Sequence, residues 1–286
     1  MLRDRFVARV TWLIGLPRVL VARRVLDRFG AADGGLLAAG IAYNAVLALI
    51  PIGLLATGVA GFLVNDRTSR TELVAAITAL LPPLAGVVDE IVAGLSRASP
   101  SLSIVGLLLA AWGTSRLFAA LESAFAQLDL GAPRRSLIRR TVRRLGSVAV
   151  LAAILLTTLV VTPALAIAVE LTGEGSATRR FLDLLLAVVP PAIAAVALSA
   201  IYRLVPPARP SWRAIGVPAV VGALTLVAVT RVFVFVTPRV FGTNLVYGTL
   251  GALLVGLAWL DLVFTVILLG AAWVVERGDR REAAVA

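Results

Sequence analysis

The chain has 286 residues, is 60% hydrophobic and 15% charged, and has a mean hydropathy of +0.98, so one soluble core cannot hide its apolar surface, roughly 55–60% of an ordinary folded surface being apolar already. Its 27 basic residues are all arginine and outnumber 16 acidic ones, for a net charge of +11; because they alternate with apolar runs of membrane length they read as topology, and no nucleic-acid partner is expected. Cys and His are absent, which excludes disulfides, thiolate nucleophiles and the usual general base, so no metal or other cofactor is expected and the chain reads as a non-enzyme.

Residues 1–33 are expected to form cytoplasmic interfacial helices. Phe6, Val10, Leu13 and Leu20 interleave with arginines at helical spacing, and Pro17 suits the first turn of a second helix. The run Val10–Leu16 is too short for a secretory apolar region and is followed by Arg18, Arg23, Arg24 and Arg28, so no cleaved signal is expected.

A membrane domain over 34–276 follows, with spans at about 36–64, 100–118, 146–169, 182–202, 214–236 and 246–272. Each run can supply the roughly 20 apolar residues that a crossing requires. The segment Asp66–Pro100, with Leu73, Ile77, Leu80 and Leu84 at helical spacing and a Pro82-Pro83 interruption, reads as two short amphipathic helices that cap the bundle or line an entrance. Pro51, Pro163, Pro190-Pro191 and Pro218 predict kinks, and residues 277–286 form a cytoplasmic tail. The fold class is all-α: a polytopic membrane bundle of six transmembrane helices plus interfacial amphipathic helices.

Twenty of the 27 arginines lie in 1–33, 116–145, 203–213 and 277–286. With six spans these segments share a side, which the positive-inside rule makes the cytoplasmic face of a bacterial inner membrane. Anionic headgroups are the partners expected there, with Arg134, Arg135, Arg139, Arg140, Arg143 and Arg144 as candidate contacts. The sequence specifies no oligomeric state.

Ionisable groups inside the apolar runs are costly and mark candidate sites. At 1.5 Å per residue, Arg116 lies about 24 Å and Asp261 about 21 Å from the outer ends of their spans, while Tyr43 lies about 20 Å below the outer surface of the first. Tyr43, Asn44, Arg116 and Asp261 therefore fall at comparable depth in the inner half. They form either a pocket for an anionic group or an ion pair that orders three helices. Arg231 sits roughly 15 Å above Asp261, out of reach.

Several strings resemble the YihY/BrkB-like integral membrane proteins: Ala42-Tyr43-Asn44-Ala45 with Pro51, Leu121-Glu122-Ser123-Ala124, Ile201-Tyr202-Arg203-Leu204-Val205-Pro206, Tyr247-Gly248-Thr249-Leu250-Gly251-Ala252, and Trp259 followed by Leu268-Leu269-Gly270-Ala271. The resemblance implies six spans with cytoplasmic termini. Where the family carries an aromatic two residues after the tryptophan this chain has Asp261, and Ala48, Ala126 and Ala272 replace its serine, asparagine and acidic residue. Proteins of the family have been labelled ribonuclease BN, but the chain has no His and only scattered carboxylates, so a nuclease centre is not expected.

Two function classes follow. Transport or flipping of an amphiphilic or anionic envelope component fits the kinked spans, polar cluster and basic inner face; a noncatalytic scaffold or envelope-assembly factor fits the basic face alone. A deep groove lined by Tyr43, Arg116 and Asp261 favours transport, and a solid helix-packed centre favours the scaffold.

Overall fold

The computed structural model describes residues 17–63, 101–128, 150, 153–154, 157–158, 161–162, 164–172, 175–206, 210–241 and 248–285. All regular structure among them is helical. Six helices have defined bounds: α1 (Pro17–Ala31), α2 (Gly34–Leu63), α3 (Ser101–Leu128), α4 (Ala177–Leu204), α5 (Trp212–Phe241) and α6 (Gly248–Val285). A further helical stretch lies between 150 and 170. The expected helices of residues 1–16, those of 66–100, and the block Arg134–Arg144 lie outside the described residues.

Local chemistry explains several boundaries. α1 starts at Pro17, whose fixed φ and missing N–H suit a first helical turn. It closes where the Ala32 N–H donates to the Arg28 carbonyl (3.2 Å) and the Asp33 N–H to the Gly30 carbonyl (3.0 Å). Asp33 takes the left-handed conformation, φ 50°, which Asp tolerates better than branched residues. A 64° bend then leads into α2. Gly34 is required at this corner, because a methyl group there would overlap the Phe29 ring. Asp33→Val should therefore cost about 1–2 kcal/mol in thermal unfolding, and Asp33→Gly should be tolerated. Ser176 caps α4 by accepting the Arg179 N–H at 3.1 Å.

The helices continue through Pro51, Pro190, Pro191 and Pro218, while Pro163, where a kink was also expected, lies outside the described residues. Thus α2, α4 and α5 each run through their prolines as a single helix.

α6 is the axis of the bundle, packing on α1, α2 and α5 and more lightly on α3 and α4. Its buried residues Val255, Trp259, Leu260, Phe264, Ile267, Leu268, Ala271 and Val274 recur in steps of three and four, so adjoining faces meet different neighbours. The most extensive pairing joins α2 to α3. On α2 the buried stripe is Ala38, Ile41, Ala42, Ala45 and Ala48, and small side chains let backbones approach closely.

α4 and α5 pair with each other and leave an apolar outer surface: Phe181, Leu184, Val188 and Val196 on one, Val217, Val221, Leu224, Val232 and Phe235 on the other are all exposed. Such a contiguous apolar surface fits lipid rather than water. Among the described residues three helices are long and apolar enough to cross a membrane, Ala177–Leu204, Trp212–Thr237 and Leu253–Arg280, and a fourth crossing follows if the bent α1–α2 pair is one span. Six crossings were expected. Side chains are described for only the first half of α2 and the second half of α3, and the region of the expected third span is described only in part.

Candidate functional site

Among the described residues no hydrogen bond or ion pair joins the four residues that sequence depth brings level. Tyr43 is exposed on α2, and neighbouring Asn44 donates to the Gly40 carbonyl of its own helix at 2.8 Å. Arg116 is also exposed; its guanidinium lies over the Trp112 ring, 5.1 Å from the centroid and one turn back on the same helix. Asp261 is partly buried, and its Oδ1 is buried without a hydrogen-bond partner. Arg116 and Asp261 form no ion pair. Arg231 is exposed on α5.

An unpartnered buried carboxylate oxygen is a liability that packing alone does not maintain. Asp261→Leu is therefore expected to raise resistance to thermal unfolding, by about 1–3 kcal/mol. A destabilisation of that size instead would show that the carboxylate has a structural partner.

Among the described residues the helices pack closely around Tyr202, beside a cavity of only about 20 Å³. This side chain is fully buried and donates from its hydroxyl to the Ile267 carbonyl of α6 at 3.1 Å. Its ring meets Phe125 of α3 edge-on, with centroids 6.3 Å apart, a favoured aromatic geometry. Gly222 of α5 and Gly270 of α6 make room for it: a methyl group at Gly270 would overlap the tyrosine hydroxyl. Thus one side chain of α4 touches three other helices. Trp259 adds a second polar tie, from its Nε1 to the Thr230 hydroxyl at 3.3 Å. Tyr202→Phe keeps the ring but deletes the hydrogen bond, and should cost about 1 kcal/mol in denaturant unfolding.

Among the described residues a sizeable opening is lateral. A groove of about 850 Å³ runs between α1, α5 and α6, walled by Val21, Val25, Val217, Val221, Leu269 and Trp273 and carrying Arg277 and Arg280. From Val266 to Arg280 it follows α6 for about 21 Å, close to half the roughly 40–45 Å thickness of a bilayer with its headgroups. Its volume is within the usual range for small-ligand sites, roughly 300–1,000 Å³. Pro218, Gly222 and Gly270 also line it; at the two glycines the backbone itself forms the surface.

Electrostatics gives the groove a direction. Arg277 donates from Nη2 to the Arg213 carbonyl at 3.3 Å, while its buried Nε has no partner. Arg280 donates from Nε to Glu276 Oε1 at 2.8 Å, the same oxygen that receives Arg24 of α1 at 3.3 Å. Arg28 pairs with Asp279 at 2.5 Å. These contacts fix the α1 wall and place three guanidiniums against two carboxylates, with Arg277 beside them, at one end of an apolar trough.

The sequence contained signals for this groove that its reading used otherwise. Arg277 and Arg280, spaced i, i+3 on α6, counted only toward topology, and Gly270 only as part of a recurring string. None of the groove residues is among Tyr43, Asn44, Arg116 and Asp261.

Continuous apolar outer faces on α4 and α5 around a helix-packed centre define an integral membrane protein of all-α architecture. The chain belongs to the virulence factor BrkB family, whose family model matches residues 25–285. It is 26% identical over 279 residues to a UPF0761 membrane protein of Chromohalobacter salexigens; the match covers 95% of this chain and 66% of the relative, so the chain spans just under two thirds of that protein's length. No solved structure matches it.

Proposed function

We propose that this membrane protein moves an amphiphilic, anionic envelope component along its lateral groove, in the bacterial inner membrane and with both termini cytoplasmic, within a six-span bundle. The observation that carries the reading is the groove itself: apolar for most of its length and cationic at one end, it matches the division of a lipid into acyl chain and headgroup. The route runs beside the bundle, because the centre is closed around Tyr202. No catalytic step is part of the proposal.

A second reading, a noncatalytic scaffold for envelope assembly, draws support from that same closed centre. Reconstitution of the full chain into liposomes, with a lipid-scrambling and solute-uptake panel, separates the two. Transport requires protein-dependent movement of at least one anionic amphiphile, reduced by Val221→Trp within the groove. Silence across the panel from folded protein would leave the scaffold.

A further inference from the structure

We infer that the α1–α5–α6 groove is a binding site for one anionic phospholipid, its phosphate on Arg277 and Arg280 and an acyl chain along Val217, Val221, Leu269 and Trp273. The inference rests on the amphiphile reading above and gives that site a ligand.

Three observations converge on this occupant. Length is the first: about 21 Å along α6 equals the depth of one leaflet with its headgroup, roughly half of 40–45 Å, so a lipid fits end to end without crossing the midplane. Surface chemistry is the second. The walls are apolar side chains, and Leu26, Val217 and Val221 remain exposed at its lip, so a chain can enter sideways from the bilayer without leaving an apolar environment.

Charge is the third and selects among lipids. Glu276 is shared by Arg24 and Arg280 and Asp279 pairs with Arg28, while Arg277, which lines the groove with Arg280, has no carboxylate partner among the described residues, so the cationic end carries an excess of guanidinium. The buried Nε of Arg277 lacks an acceptor, and the terminal nitrogens of Arg280 have none among the described residues, its Nε being taken by Glu276. A phosphate oxygen supplies an acceptor for the terminal nitrogens of Arg280, in the forked geometry that guanidinium favours, and balances the charge of Arg277 beside it. A zwitterionic lipid brings its own cation into a region already cationic, so a net anionic headgroup is preferred.

Trp273 lines the groove and reports occupancy. In nanodiscs of unlabelled phosphatidylcholine doped with brominated phosphatidylglycerol or brominated phosphatidylcholine, the quenching lost in Trp273→Phe isolates the Trp273 signal. Half-quenching is expected at a several-fold lower fraction of the glycerol lipid. Arg277→Gln should reduce this preference about fivefold and Arg277→Gln/Arg280→Gln should abolish it, each basic group near an anionic lipid being worth about that factor. Added salt should erode the preference of the unaltered protein, a readout that does not depend on how well the variants fold.

Equal quenching by the two lipids, or a preference that survives the double substitution in folded protein, would overturn the site. Selective quenching in a protein that scrambles nothing supports the site and removes transport. Scrambling without selective quenching overturns the site and leaves transport standing.

Discussion

Gly270→Leu is expected to prevent accumulation of folded protein, and Gly270→Ala to lose about 1–3 kcal/mol, the usual range for overpacking. A side chain at this position enters the space of the Tyr202 hydroxyl. Tyr202 cannot retreat: Phe125 meets its ring, Gly222 and Leu198 lie close together behind it, and its hydroxyl is tied to the Ile267 carbonyl. Lipid weakens the usual hydrophobic rescue, since helices in a bilayer are held by close packing and hydrogen bonds rather than by escape from water. A double-mutant cycle gives the test a sign. Tyr202→Ala alone should cost about 3–5 kcal/mol, as for other large-to-small aromatic changes, but in that background Gly270→Ala should be neutral or stabilising, because alanine is the better helix former by about 1 kcal/mol. If Gly270→Ala costs the same in both backgrounds, the two positions are uncoupled and Tyr202 does not pack against Gly270.

Much of the helical order was legible because composition dictates it. The apolar runs at 182–202 and 214–236 lie within α4 and α5, and the run expected at 246–272 lies within α6 from Gly248 onward; uninterrupted apolar sequence of that length has few alternatives to helix in lipid. Pro17 marked the start of α1 for a local reason. The resemblance strings also contained Tyr202 and Gly270, the residues that meet at the centre.

Depth, by contrast, does not say which side chains meet. Counting residues along α3 and α6 places Arg116 and Asp261 level, but contact also requires the two to face one another, and α3 touches α6 only lightly. Arg116 turns to Trp112, which is available on its own helix without any tertiary packing. Rotation about a helix axis depends on neighbours that a sequence does not order. The groove was hidden for the same reason: its walls come from Val21–Leu26, Val217–Thr225 and Val266–Arg280, three stretches that become adjacent only once α6 is the axis.

That dependence on α6 makes Glu276 the position where one charge should change most. Glu276 is 7% exposed and accepts from Arg24 of α1 and Arg280 of its own helix. Glu276→Gln should cost about 1–2 kcal/mol, less than a fully buried pair because the arginines are 59% and 40% exposed. Glu276→Lys is the larger change: it puts a cation beside Arg24 and Arg280 and should cost about 3 kcal/mol or more. The damage should begin locally. α1 is held by Val21, Val25 and Phe29 in the core and by its ion pairs to α6, so it should open before the rest of the bundle. Hydrogen exchange over residues 17–31 is the direct measurement, with faster exchange expected in Glu276→Gln, faster still in Glu276→Lys, and partial recovery when Glu276→Lys is combined with Arg24→Glu. Opening of α1 removes one wall of the groove, so selective lipid quenching of Trp273 should fall in step with that exchange. If exchange over α1 stays unchanged in both single variants, the bilayer surface rather than Glu276 holds the helix, and the groove wall does not depend on these ion pairs.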